Sequence, residues 1–292
     1  MTRRILQIIA TLDRSGAEKQ LTLLAAGLPR DEFEVHVCAL SRGGPLEEDL
    51  QRAGIPVKVI GKAWKFDPLA WWKLRAHIRR LRPEIVQTWM FTANAYGRTA
   101  ALSAKVRKIV ASERCVDLWK VWHHLEIDRR LAKRTDAIVV NSRGVEQFYK
   151  AQGLPADKLR LIYNGIGPAA KSDVSHDGLC RELGLPPNAR LIGAVGRLSH
   201  QKRYKDLIWA ADLVKVIRGD AHLLIIGDGP LRVNLERFRD QCLIEDKVHF
   251  LGTRHDVMRL MPHFTLLWQA SGFEGLSNTI MEAMACGVPV VA

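Results

Sequence analysis

The feature that most limits what this chain can fold into is an alternation, made twice, of short β-branched runs with longer helix-patterned stretches. In the first half the β-rich runs fall at residues 5–10, 33–40, 56–60, 85–89, 108–111, 137–141 and 159–163. Helical stretches at 17–28, 69–81, 94–104 and 144–152 lie between them. Strand and helix in alternation predict a parallel sheet covered on both faces. The pattern halts at Gly167-Pro168-Ala169-Ala170-Lys171-Ser172-Asp173, which reads as a linker. It resumes with runs at 191–195, 223–226, 248–251, 264–268 and 288–291. The expectation is two α/β domains, residues 1–165 and 166–292, with a ligand cleft between the carboxyl ends of their sheets.

Composition narrows the function. The net charge of +13 is uneven: residues 1–165 hold 29 Lys and Arg against 17 Asp and Glu, and the rest hold 15 against 14. Six of the eight tryptophans also lie in the first half, so the halves are expected to bind different things. Five cysteines are scattered without Cys-x-x-Cys spacing, which fits a reduced, cytosolic setting. Apolar runs such as 5–10 are too short to span a bilayer, and the start lacks the long apolar core of a secretory signal. No recognised nucleic-acid module or aromatic platform accompanies the positive charge.

Two carboxylates stand eight positions apart in Gly272-Phe273-Glu274-Gly275-Leu276-Ser277-Asn278-Thr279-Ile280-Met281-Glu282. If residues 275–285 form a helix, eight residues separate them by about 12 Å of rise and roughly 80° of rotation. A retaining glycosidase pair needs carboxyls about 5 Å apart, so two separate tasks fit better. Glu274 and Glu282 can then each accept hydrogen bonds from a different part of one ligand. The amides of Gly275, Leu276 and Ser277 would then open the helix and offer donors to an anion. For two glutamates at an arbitrary spacing a solvated helix face is the ordinary reading.

The residues around these two decide against it. The stretch through Glu282-Ala283-Met284-Ala285-Cys286-Gly287-Val288-Pro289-Val290-Val291 resembles the Glu-(seven residues)-Glu motif of retaining nucleotide-sugar transferases, particularly glycosyltransferase family 4. The resemblance implies a GT-B-like architecture of two Rossmann-like domains, a nucleotide diphosphate sugar as donor and a glycan or lipid-linked acceptor. It implies that Arg197 and Lys202, in Gly193-Ala194-Val195-Gly196-Arg197-Leu198-Ser199-His200-Gln201-Lys202, bind the donor diphosphate. Their chemistry suits that task, a guanidinium gripping phosphate bidentately and a lysine adding a mobile point charge. Gly16, in Ser15-Gly16-Ala17-Glu18, resembles the family's Gly-Gly-Ala-Glu loop and would let backbone approach the ligand. Main-chain atoms of Thr253 and Arg254 are placed by the same resemblance to meet the nucleotide base. No Asp-x-Asp occurs and no histidine–carboxylate set has ligand spacing, so no cofactor and no metal are expected. His123-His124 reads as a helix surface, and Asp228 as a turn or cap residue.

The chain departs from the family's pattern in places. Where relatives often carry a histidine lining the sugar site, this sequence has Ser112-Glu113-Arg114-Cys115. Gly167 replaces the aspartate of the interdomain Asn-Gly-(Ile/Val)-Asp turn. Relatives continue beyond Val-Val-Ala, so truncation is expected and a non-catalytic, nucleotide-sugar-binding or membrane-associated remnant is one alternative. A GT-B-fold sugar-nucleotide epimerase is another, and it should show catalytic carboxylates and histidines in the first half.

Between Lys58 and Arg82 eight bases and one acid interleave with Trp64, Phe66, Trp71 and Trp72. On a helix starting near Pro68, Trp71, Leu74, Ile78 and Leu81 form the buried stripe. Trp72, Arg75 and Arg79 then face outward and suit anionic headgroups. The expected location is cytoplasmic, peripheral at the inner face of the membrane, in envelope or exopolysaccharide synthesis.

Overall fold

The structure, a computed structural model, describes residues 2–167 and 172–292. The middle of the expected linker, residues 168–171, lies outside the described residues. The chain divides into two units, Met1–Gly165 and Ile166–Ala292.

Unit 1 begins β1 (Arg3–Ile9), α1 (Gly16–Gly27), β2 (Phe33–Ala39), α2 (Leu46–Arg52), β3 (Val57–Val59) and α3 (Pro68–Leu81). It continues β4 (Ile85–Trp89), α4 (Met90–Ser103), β5 (Lys108–Glu113), α5 (Trp122–Ala132), β6 (Ala137–Val140), α6 (Arg143–Ala151) and β7 (Leu159–Leu161). The strands form one parallel sheet in the order β3-β2-β1-β4-β5-β6-β7. Side chains alternate across the sheet with period two. Leu6 and Ile8 of β1 pack with Leu74 and Ile78 of α3 and Ala93 and Ala100 of α4. Ile9 packs on the other face with Leu21 and Ala25 of α1 and Leu46 and Leu50 of α2. The chain runs outward from β1 to β3 and then returns to β4, which makes the β1/β4 boundary the switch point where doubly wound sheets bind ligands.

Unit 2 contains α7 (His176–Glu182), β8 (Arg190–Val195), α8 (Tyr204–Ile217), β9 (Ala221–Ile226), α9 (Arg232–Gln241) and β10 (Val248–Gly252). After these come α10 (Val257–Leu260), β11 (Leu266–Trp268), α11 (Asn278–Ala285) and β12 (Val290–Val291). Its sheet is parallel in the order β10-β9-β8-β11-β12, with the switch point between β8 and β11. Every residue of β9 is buried, as a central strand covered on both faces requires.

Several expected runs shorten, two of them in unit 2. The run at 264–268 is strand only from Leu266, because the Phe264 ring is spent filling the space over Gly193. The run at 288–291 is strand only from Val290, because the Val288 amide still bonds Ala283 O to close α11. Helix α2 lies in a stretch where no helix was expected, and α5 is the helix on which His123 and His124 were read as surface residues, His123 exposed and His124 half-buried. No helix among the described residues is long and apolar enough to cross a membrane.

Candidate active site

In unit 2 the loops leaving β8, β9 and β11 lock together. Gly196 N donates to Ile226 O at 2.9 Å and Gly227 N to Gly252 O at 2.8 Å, so the turns after β8, β9 and β10 lie side by side. Gly227 has φ +135°, and a Cβ there would collide with the Gly196 carbonyl oxygen. Only glycine permits that approach. The turn after β8 then grips the loop after β11: Gly272 N donates to Gln201 O at 2.9 Å, and Gln201 Nε2 to Phe273 O at 2.8 Å. That double contact delivers the Glu274 carboxylate onto Lys202 Nζ, where both side chains stay partly solvent-accessible.

Arg197, at the carboxyl end of β8, is exposed and has no hydrogen-bond or ion-pair partner among the described residues. Beneath Lys202, Tyr204 OH donates to Gly196 O at 3.0 Å and helps hold the turn. A cavity of about 10 Å³ between Val195, Lys202, Tyr204, Gln269 and Ser271 adjoins the pair. Ser271 Oγ is buried there without a partner among the described residues. A polar space of this size holds about one water molecule.

The helix expected over 275–285 begins three residues later, at Asn278. The reason is local. Ser277 takes the N-cap position, accepting from Ile280 N at 3.4 Å and donating to Gln269 Oε1 at 2.7 Å. Gly275 and Leu276 therefore lie in the turn ahead of the helix, and the amides that open α11 are those of Asn278, Thr279 and Ile280. Glu282 follows one turn inside and is only 9% exposed. Thr253 is exposed just after β10, beside Gly252 at φ +67°. The Arg254 side chain is occupied, at 2.6 Å from Asp256 Oδ2 and 3.0 Å from Glu182 Oε1, and these partners hold its pKa above the ordinary arginine value. Asp228 accepts from Gly229 N at 2.6 Å, a turn role.

Thus Lys202 and Glu274 meet where the β8 and β11 loops lock, Arg197 stands at the carboxyl end of β8, Gly275, Leu276 and Ser277 lie in the turn ahead of α11, and Glu282 lies on α11 itself. Thr253 and Arg254 border the neighbouring strand end, and Gly16 belongs to unit 1, at the first turn of α1. Sequence reasoning missed Gln201 and Gln269. Their contacts span 72 and 8 residues, and neither glutamine has a local signature.

In unit 1 the switch point is lined by buried polar groups. Trp89 Nε1 donates to Gln7 Oε1 at 2.7 Å, and Met90, at the start of α4, takes a left-handed φ of +65°. Strain of that kind in a non-glycine residue gathers at functional sites. At the end of β5, the Arg114 guanidinium lies 5.1 Å over the Trp89 ring and bonds Asn164. Burial draws its pKa down to about 10.

Glu113 enters a buried ionic cluster instead. Lys120 Nζ lies 2.9 Å from Asp128, 3.2 Å from Asp117 and 3.4 Å from Glu113. Arg98 holds Asp128 at 2.6 Å, and Asn94 donates to Glu113 at 2.8 Å. Burial works against the charge on Lys120, but the surrounding carboxylates overcome it and hold its pKa above the ordinary lysine range. Burial, with Asp128 and Asp117 close by, pushes Glu113 up to about 7 against the pull of Lys120.

Comparison with known proteins places these observations. The family model described as Glycosyltransferase Family 4 matches residues 14–169, and that described as Glycosyl transferases group 1 matches residues 179–292. An N-acetyl-alpha-D-glucosaminyl L-malate synthase from Bacillus anthracis is 29% identical over 137 residues, 47% of this chain and 36% of that protein. A Campylobacter jejuni N-acetylgalactosamine-N,N'-diacetylbacillosaminyl-diphospho-undecaprenol 4-alpha-N-acetylgalactosaminyltransferase is 30% identical over 55% of this chain and 42% of that one. The matched part thus spans less than half the length of either relative. The crystal structure of HepE from Anabaena with UDP and glucose superposes with a TM-score of 0.86 at 25% identity, covering 99% of this chain and 80% of that one.

Proposed function

The chain belongs to glycosyltransferase family 4, and from that premise we propose that it moves a hexose, with retention, from a nucleotide diphosphate sugar to a glycan or lipid-linked acceptor. The observation that carries the reading is the lock between the β8 and β11 loops, which sets Lys202 against Glu274 beside an unpartnered Arg197. Arg197 and Lys202 meet the charge that builds on the departing diphosphate. Glu274 orients the sugar through its hydroxyls, and Glu282 accepts from the ribose. The bond from the anomeric carbon to the diphosphate oxygen breaks as a bond to the acceptor oxygen forms on the same face. The acceptor proton passes to the leaving phosphate. Two protein cations do the charge work that a metal ion does in other transferases.

The test is release of nucleoside diphosphate from a panel of donors, beginning with UDP-glucose because HepE binds UDP and glucose. Release with at least one donor, unaffected by EDTA, is expected. No release from any donor would overturn the transfer reading, and full loss in EDTA with rescue by Mg²⁺ would overturn the metal-free part.

The acceptor side is proposed to work at an anionic membrane surface. Asp67 caps α3 by accepting from Ala70 N at 2.9 Å, Leu74 and Ile78 turn inward, and Trp72 stays exposed with Arg75 5.2 Å from its ring. Trp64, Phe66 and Leu69 are exposed alongside. An aromatic and basic face of this kind suits the cytoplasmic leaflet and a lipid-linked acceptor in envelope or exopolysaccharide synthesis.

A further inference from the structure

A groove of about 480 Å³ lies between edge strand β3 and helix α3, lined by Lys58, Val59 and Ile60 on one side and Lys73, Ala76, His77 and Arg80 on the other. The helix residues recur at i, i+3, i+4 and i+7, so they share one flank of α3 beside the Trp72 and Arg79 face. Ala76 supplies room among the longer side chains. No carboxylate lines the groove. Lys58, Lys73 and Arg80 have no hydrogen-bond or ion-pair partner among the described residues, unlike most bases of this molecule. The nearby acid Glu34 is committed to Arg4 and His36, at 2.8 Å each.

His77 supplies an independent observation. Both of its ring nitrogens are buried without a hydrogen-bond partner among the described residues. A buried imidazole with neither nitrogen satisfied is costly, and native structures rarely leave such groups unexplained. Burial, then the charges of Arg80, His36 and Lys58, hold its pKa below the ordinary imidazole range, so at pH 7 the ring is neutral and offers one donor and one acceptor. Unpaired like charges along one helix flank repel one another. A phosphate group in the groove offsets the unpaired charges of Lys58, Lys73 and Arg80.

We infer that the β3–α3 groove is a second anion site, built to take a phosphate or diphosphate group between Lys58, Lys73 and Arg80, with the neutral His77 ring adding no charge to its wall. The site belongs to unit 1 and does not depend on the transfer reading of unit 2. The phosphate comes either from a free phosphorylated molecule or from a lipid headgroup presented at the adjoining aromatic face.

Calorimetry with inorganic diphosphate on the full chain tests this, using Arg197→Ala/Lys202→Ala as background to remove diphosphate binding in unit 2. One remaining site is expected. It should weaken at least tenfold in Lys58→Ala/Lys73→Ala/Arg80→Ala. Addition of diphosphate should also shift the His77 imidazole resonances. No remaining site, or one that the triple variant leaves unchanged, overturns the inference. Co-sedimentation with vesicles of phosphatidylcholine and phosphatidic acid separates the sources. Pelleting that diphosphate competes away and that falls in the triple variant assigns the headgroup. Pelleting indifferent to both, with the calorimetric site intact, assigns a free phosphate. Donor turnover in the triple variant stays at the parent level if unit 2 alone carries the transfer, so failure of the groove and failure of the transfer reading are told apart.

Discussion

Each unit sets lysine against glutamate near the carboxyl end of its sheet, in opposite ways. In unit 1, Lys120 is fully buried with Glu113, Asp117 and Asp128, and Arg98, Asn94 and Tyr149 complete the cluster. In unit 2, Lys202 and Glu274 meet on a loop, partly open to water, with Arg197 unpartnered nearby. Burial turns the first set into architecture: removing a partner strands a charge in a medium that cannot solvate it. The second set gives up little when it separates, because water or a ligand can replace either partner. A site that must exchange partners during a reaction needs the second arrangement, and a sheet edge that must stay rigid can use the first.

The sharpest way to break this contrast is to delete each lysine. Lys120→Met should destabilise unit 1 by about 3–5 kcal/mol, the cost of a broken buried pair. Lys202→Met should cost about 1 kcal/mol or less, because water reaches both partners of that pair. Urea unfolding followed by tryptophan fluorescence reads both, since six of the eight tryptophans lie in unit 1 and Trp209 and Trp268 lie in unit 2. Equal losses would mean that burial is not what separates the two sites.

The next effect is a pH dependence confined to the buried cluster. Glu113 sits at about 7 in the folded chain against 4.5 as its ordinary value, so the folded state keeps a proton that the unfolded state releases between those pH values. Its stabilising contribution is complete below pH 4.5 and is lost as pH rises through about 7. At its steepest the slope is about 1.4 kcal/mol per pH unit. Glu113→Gln, which copies the protonated form, should flatten the difference between pH 5 and pH 8. A slope unchanged in that variant would place the proton elsewhere.

How much of this was legible in the sequence follows from how local each signal is. The strand at Ile85–Trp89, the α3 stripe of Leu74 and Ile78, and the exposure of Trp72 follow from period and composition, which neighbours in the chain set by themselves. Arg197, Lys202, Glu274 and Glu282 could be singled out as candidates because the family motifs keep their order along the chain, and of these the structure joins Lys202 to Glu274. The lock through Gln201 was not, because a glutamine carries no pattern and its partner lies 72 residues away. Glu113 was visible only as a polar residue standing where relatives often carry histidine. Its burial depends on Lys120, Asp128 and Tyr149, which come from a loop and two helices that converge only in the fold. The start of α11 was misplaced because Ser277 can either cap a helix or sit inside one, and its bond to Gln269 decides.

Within unit 2 the largest binding effect should come from Glu282→Ala. Loss of a hydrogen-bonded contact to a charged group costs about 1.5–3 kcal/mol, roughly 10- to 150-fold in affinity for a nucleoside diphosphate. Calorimetric titration measures it, with circular dichroism as the check on folding. Unchanged affinity would remove Glu282 from the ribose.

The smallest effects test the division of labour inside the open pair. Arg197→Ala and Lys202→Ala should each weaken the sugar nucleotide and the bare nucleoside diphosphate alike, by about tenfold or ~1.4 kcal/mol, because both ligands present the same phosphate oxygens. Glu274→Ala should leave the bare diphosphate as tightly bound as in the parent, because the carboxylate has no diphosphate to hold and its loss releases Lys202 from competition. The same variant should lose discrimination among sugars, since the hydroxyls then meet no acceptor. If Lys202 and Glu274 were a structural pair of the kind seen around Lys120, both deletions would disturb the loop and weaken both ligands equally. Parallel titrations of the three variants with both ligands therefore decide whether this pair belongs to the chemistry or to the scaffold.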